Sequence, residues 1–199
     1  YGHGYDTVDV DACTRAGIIV TNIAGSTSEE VSNHALSLML ASARELKRLD
    51  VATTSGRWAD VYSRSILNRI YGETVGIVGF GWIGRAMARK CKALGMTVLI
   101  NDPYVGDHLR IEYGVEFVSK DRLMELSDYV SLHVPHLETT HHFIDPRALA
   151  QMKSSAYLIN TSRGPVIDEQ ALIDALLSGA IAGAGIDVFE QEPLSLDNP

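Results

Sequence analysis

Cysteine is scarce in this chain: only Cys13 and Cys91 occur in 199 residues, which excludes a disulfide-built scaffold. Cys91 falls on the apolar side of a helical pattern, so both are expected as reduced thiols and the setting as cytoplasmic. Basic charge is also in short supply. Against 25 Asp and Glu stand 17 Lys and Arg, a formal net charge of -8, and no Lys/Arg block appears anywhere, so no nucleic-acid partner is expected. No apolar run approaches the roughly 18 residues of a membrane span. The opening Tyr1-Gly2-His3-Gly4 lacks the basic start of a signal peptide, and no membrane partner is expected. None of the seven histidines has a spacing to carboxylates that suggests a metal, so no metal site is expected.

What the chain does have is a repeat of strand and helix patterns. Strands are predicted at Val75 to Val78, Thr97 to Ile100, Val115 to Val118, Tyr129 to Val134, Ala156 to Asn160 and Ile181 to Val188. Between them lie helical patterns at Trp82 to Leu94, Asp121 to Leu126, Asp145 to Met152 and Glu169 to Leu177. Repeated βα units with short connections imply a doubly wound parallel sheet, an α/β fold of the Rossmann type. A chain of 199 residues can form one such domain plus part of another.

The first of these units carries a nucleotide-binding signature. Val75-Gly76-Ile77-Val78 leads into Gly79-Phe80-Gly81-Trp82-Ile83-Gly84. Gly79 would make the turn, Gly81 would let backbone approach a pyrophosphate, and Gly84 would let the helix pack close to the sheet. The helix start, with Trp82 and Ile83, would offer backbone N–H groups to the phosphates. Asp102 follows Gly84 by 18 residues, at the end of the next strand. An aspartate there reaches ribose hydroxyls and favours NAD over NADP by repelling a 2′-phosphate; the plainer reading is a turn aspartate before Pro103.

Before residue 70 the pattern changes. Val10 to Ala16 reads as a short helix and Ile18 to Thr21 as a strand. Ser26 and Thr27 with Glu29 and Glu30 then form overlapping capping boxes. The stripe Val31, Ala35, Leu38, Met39, Ala43 and Leu46 predicts one long helix. The expected division is residues 1–24 as a piece of a second, incomplete domain and 25–199 as the nucleotide-binding domain, entered through that helix.

Further motifs follow in order: Gly2-His3-Gly4-Tyr5-Asp6, Ser131-Leu132-His133-Val134-Pro135, Ile159-Asn160-Thr161-Ser162-Arg163-Gly164, and Gly185-Ile186-Asp187-Val188-Phe189-Glu190-Gln191-Glu192-Pro193. With the glycine turn, these resemble the D-2-hydroxyacid dehydrogenases over essentially the whole length. The resemblance implies an NAD domain inserted in a substrate domain, here with only the tail of that domain's first half. It implies hydride transfer between a D-2-hydroxy acid and its 2-keto acid, and a homodimer pairing through the cofactor domain and the helix beginning near Ser26.

Such chemistry needs a cation for the substrate carboxylate and carbonyl oxygen, a base for the hydroxyl proton and a nicotinamide held beside the carbon. Arg163, after a strand, is the natural cation, because a guanidinium grips a carboxylate with two hydrogen bonds. On residue pattern alone Glu190 and Glu192 could each be solvated loop charges; the resemblance selects Glu192 as the acid that orients the catalytic histidine. It also implies that Asp187 binds the nicotinamide amide and that His133, Val134 and Pro135 wall the adenine pocket. Thr161 and Ser162 would line the nicotinamide side, and the backbone of His3 and Gly4 would hold the substrate carboxylate. The family's Pro-His pair, roughly twenty residues past the glutamate, has no counterpart among the seven residues after Glu192, so this chain is expected to be a fragment without the catalytic base. Val31-Ser32-Asn33-His34 stands where the family more often has Val-Ala-Glu-His. Two other branches remain open: dinucleotide-sensing corepressors of the C-terminal-binding type, and formate dehydrogenases, which usually carry glutamine in place of Glu192.

Overall fold

A computed structural model of the chain describes residues 4–5, 7–23, 25–59 and 69–199. Its centre is a six-stranded, wholly parallel sheet. In chain order the strands are β1 (Thr74–Val78), β2 (Thr97–Asn101), β3 (Glu116–Phe117), β4 (Tyr129–Leu132), β5 (Tyr157–Asn160) and β6 (Gly183–Ile186). In space they run β3-β2-β1-β4-β5-β6, so the direction of winding reverses between β1 and β4, where open α/β sheets bind ligands. The central strands are short apolar runs because both faces are covered; every residue of β4 is buried.

The described helices are α1 (Val10–Arg15), α2 (Ser28–Ala43), α3 (Leu46–Thr54), α4 (Trp82–Ala93), α5 (His108–Tyr113), α6 (Lys120–Leu126), α7 (Pro146–Gln151) and α8 (Glu169–Ser178). On one face of the sheet α2 and α4 bring Ala35, Met39, Met87 and Cys91 against Val75, Ile77, Tyr129 and Ile159. On the other, α6, α7 and α8 bring Leu123, Met124, Leu149 and Leu172 against Val130, Leu132 and Leu158. The expected fold class and the order of its βα units are therefore present. The strand ends differ: His133 to Pro135 leaves the sheet, and β6 is shorter than the apolar run around it.

Three expectations for the first 70 residues are corrected. The long helix breaks after Ala43: Glu45 adopts a left-handed conformation (φ 48°), and α3 starts in a new direction with Leu46 exposed. Neither capping box forms. Thr27 makes no side-chain cap, Ser26 Oγ donates to the Ile23 carbonyl, and Glu29 is drawn to Arg89 and Lys90 of α4, each at 2.6 Å. No strand forms at Ile18 to Thr21 either. Among the described residues no strand pairs with it; the Ile18 N–H donates to the Cys13 carbonyl (2.9 Å) at the end of α1, and Ile18 and Ile19 are exposed, so an extended segment here has no ladder to join. Both cysteines are free thiols, and burial pushes the Cys91 thiol up to about 12, which leaves it unreactive. Among the described residues no helix is long and apolar enough to cross a membrane, and no cluster suits a metal ion.

Candidate active site

The glycine turn leaves β1 with Gly79 at φ +90°, a conformation open to glycine at little cost. A Cβ on Gly84 would lie 2.1 Å from the Gly79 carbonyl oxygen, so helix and turn touch backbone to backbone. Gly81 is different. A Cβ there would meet nothing within 4 Å, because it would project into open space. No side chain caps α4 at Gly81, which leaves first-turn N–H groups for an anion.

That space is a cleft of about 810 Å³ at the carboxyl ends of the strands. Gly81, Trp82 and Ile83 form one wall, and His133, Val134 and Pro135, just past β4, form another. Thr161, Ser162 and Arg163, just past β5, line it as well, as do Gly4, Tyr5 and Val8. His3 lies outside the described residues. The predicted residues at the turn, after β4 and after β5 thus converge, although 80 positions separate Gly81 from Thr161.

Asn160, fully buried at the end of β5, shapes the turn that presents Arg163. Its Nδ2 donates to the Arg163 carbonyl (2.9 Å), and its Oδ1 accepts from the Ser162 N–H (3.0 Å) and hydroxyl (2.7 Å). Arg163 Nη1 donates to the Ser162 carbonyl at 2.7 Å. The Asn160 signal was present in the sequence as a polar residue ending an apolar strand, but that pattern does not by itself tell a turn-builder from a surface residue. His133 is partly buried, with Nε2 2.9 Å from Ser131 Oγ. Desolvation by burial holds its imidazole down to about 4, so at neutral pH it is an uncharged wall.

Gly79 and Gly84 lie behind the lining, and the three predicted carboxylates lie outside it as well. Asp102 reaches back from β2 to the glycine turn, where Oδ2 accepts from the Phe80 N–H (2.7 Å) and Oδ1 from the Tyr104 N–H (2.9 Å). Each oxygen retains acceptor capacity for a hydroxyl. Asp187 follows β6; its N–H donates to the Asn160 carbonyl (3.0 Å), and Oδ1 lies 3.1 Å from His34 Nε2 of α2. No local sequence signal marks this pairing, which spans 153 positions. Glu192 is exposed and accepts from the Phe189 N–H at 3.0 Å. Glu190 is engaged by distant segments instead, accepting from the Glu169 N–H (3.2 Å) at the start of α8 and pairing with His142 Nε2 (2.8 Å).

The cleft fits a dinucleotide. The Cβ-free passage at Gly81 and the uncapped helix start suit a pyrophosphate. Thr161 Oγ1 is a buried hydroxyl without a hydrogen-bond partner, and a polar ligand in the cleft would supply one.

Comparison with known proteins agrees. The family model described as "D-isomer specific 2-hydroxyacid dehydrogenase, NAD binding domain" matches residues 36–199. A glyoxylate reductase of Korarchaeum cryptofilum is 45% identical over 201 residues, covering 100% of this chain and 60% of its own length. A hydroxypyruvate reductase of Thermotoga maritima is 38% identical over 206 residues, covering 99% and 66%. The crystal structure of a D-lactate dehydrogenase from Aquifex aeolicus, complexed with NAD and lactic acid, has a TM-score of 0.86 at 35% identity, covering 98% of this chain and 61% of that one. The chain thus spans about three fifths of the length of such relatives. It belongs to the D-isomer-specific 2-hydroxyacid dehydrogenases, and residues 36–199 are that family's NAD-binding domain.

Proposed function

We propose that the full-length protein is an NAD-dependent oxidoreductase that interconverts a D-2-hydroxy acid and its 2-keto acid, with glyoxylate or hydroxypyruvate as the first substrates to try. The observation that carries this reading is Arg163 at the wall of the cleft that also holds the glycine-turn helix start and the orphan Thr161 hydroxyl. NAD, when bound, accepts or delivers the hydride. The chain's own residues orient and bind. Gly81, Trp82 and Ile83 take the pyrophosphate; Gly79 and Gly84 shape the turn; Asp102 takes the adenosine ribose hydroxyls; His133, Val134 and Pro135 wall the adenine. Thr161, Ser162 and Asp187 hold the nicotinamide side. The Arg163 guanidinium grips the substrate carboxylate and polarises its carbonyl oxygen, with backbone at His3 and Gly4 completing the carboxylate site.

Glu192 is assigned to a histidine that exchanges a proton with the substrate hydroxyl. That histidine is assigned, on the family pattern alone, to the Pro-His pair that follows the glutamate; in this chain Glu192 accepts from the Phe189 N–H. Residues 1–24 are assigned to the substrate domain and 25–199 to the cofactor domain, in a cytoplasmic homodimer. The buried face of α2 is used within its own chain, against α4, β5 and β6, so dimer contacts through α2 would use its other faces.

The test is NADH oxidation by the full-length protein with glyoxylate, hydroxypyruvate and pyruvate. Turnover with at least one, lost in Arg163→Ala, is expected. Tight NADH binding without turnover of any 2-keto acid would contradict the reading.

A further inference from the structure

On the basis of the proposed role of Asp187 toward the nicotinamide, we infer that His34 is a positioning residue that holds the Asp187 carboxylate in the orientation that receives the nicotinamide carboxamide. The observation is the contact between His34 Nε2 on α2 and Asp187 Oδ1 after β6, at 3.1 Å.

The placement is built into the packing of helix on strand. Leu38 lies four residues after His34 and so one turn along the same helix face. Gly185 lies two residues before Asp187, on the same side of the strand. A Cβ on Gly185 would stand 2.9 Å from Leu38 Cβ, so α2 rests directly on the backbone of β6 and sets His34 over Asp187. The Asp187 N–H is fixed by the Asn160 carbonyl (3.0 Å), which ties the same residue to the turn carrying Thr161.

An aspartate at the end of a strand can swing between rotamers. With its N–H anchored and Oδ1 receiving the His34 N–H, Oδ2 is left in a defined direction for a carboxamide N–H donor. This requires the imidazole proton on Nε2. The two side chains are 51% and 47% exposed, so the contact contributes little to the core and its loss leaves the fold intact.

The test uses the full-length protein and two cofactor probes. NADH carries the nicotinamide, whereas ADP-ribose shares only the adenosine, pyrophosphate and ribose. His34→Phe keeps an aromatic ring without the donor, His34→Ala removes both, and His34→Gln keeps an N–H donor. The Phe and Ala variants are expected to weaken NADH by about three- to tenfold, the worth of one hydrogen bond, with ADP-ribose affinity and melting temperature unchanged. The Gln variant is expected to restore NADH affinity. In an Asp187→Ala background, His34→Phe is expected to add nothing. Unchanged NADH affinity in the Phe and Ala variants, a parallel loss of ADP-ribose, or a Gln variant as weak as Phe would overturn the role of His34. Wild-type protein that binds neither probe would instead overturn the NAD reading itself.

Discussion

Gly81 and Gly84 are three residues apart, yet the structure gives them different work. At Gly84 a Cβ would collide with backbone, 2.1 Å from the Gly79 oxygen, so Gly84→Ala is expected to lower stability by roughly 2–3 kcal/mol, read as a drop of several degrees in melting temperature. At Gly81 the backbone is extended (φ -71°, ψ -161°) and a Cβ meets open space, so Gly81→Ala is expected to melt as wild type while NADH binds about tenfold more weakly or worse. Arg163→Lys in the full-length protein retains the charge but not the fork. Its kcat/KM is expected to fall about 10- to 100-fold with NADH affinity unchanged, as measured by steady-state kinetics beside a fluorescence titration. His133 makes a pH prediction. Its folded value, about 4, lies below the ordinary 6.5, so as pH falls below 6.5 the unfolded chain takes up the proton first. Stability present above 6.5 is therefore lost between 6.5 and 4, by at most about 3 kcal/mol. Urea midpoints across that window, compared with His133→Phe, check it: the variant's decline is expected to be shallower.

Among the elements, the α2–α3 break is the feature that departs most from the sequence pattern. The apolar stripe runs on through Leu46, and neither glycine nor proline marks a stop at Arg44-Glu45. Glu45 adopts left-handed backbone at a cost of about 1 kcal/mol for a residue with a Cβ. Glu45→Gly is accordingly expected to leave the protein as stable as wild type or raise its stability by up to about 1 kcal/mol, less what the exposed Arg48 pair contributed, by chemical denaturation. No local residue pattern marks the break, and the charged contacts that tie α2 to α4 lie at its other end. α2 is held to α4, where the Lys90 ammonium donates to Glu29 (2.6 Å) and to the buried Ser32 hydroxyl (2.5 Å). That Lys90 hydrogen bond is the main influence holding the Glu29 carboxyl below its usual range. The strands were easier to read, because a parallel strand covered on both faces is an unbroken apolar run whatever its neighbours are. The predicted strand at Ile18 to Thr21 looked similar, yet a strand exists only with a partner, and partners are not written in a local pattern.

For the chain taken together, the βα alternation, the glycine turn and the motif order were enough to predict the doubly wound sheet and the cleft-lining residues after β1, β4 and β5. Contacts between distant segments were not predictable in this way. His34 reads as an ordinary helix histidine until β6 brings Asp187 to it, and Glu190 reads much like Glu192 until α8 and His142 claim it. Asp102 reads from its spacing as a ribose ligand, and in the structure its carboxylate braces the turn through the Phe80 and Tyr104 N–H groups. These readings meet in a single prediction about cofactor choice. Calorimetric titration of the protein with NADH and with NADPH should show NADH binding at a stoichiometry of one per chain and NADPH at least about tenfold weaker, since a 2′-phosphate would meet the Asp102 carboxylate. Folded protein that failed to bind NADH at millimolar concentration, or that bound NADPH as tightly, would contradict an NAD site built on Gly79 to Gly84 and Asp102.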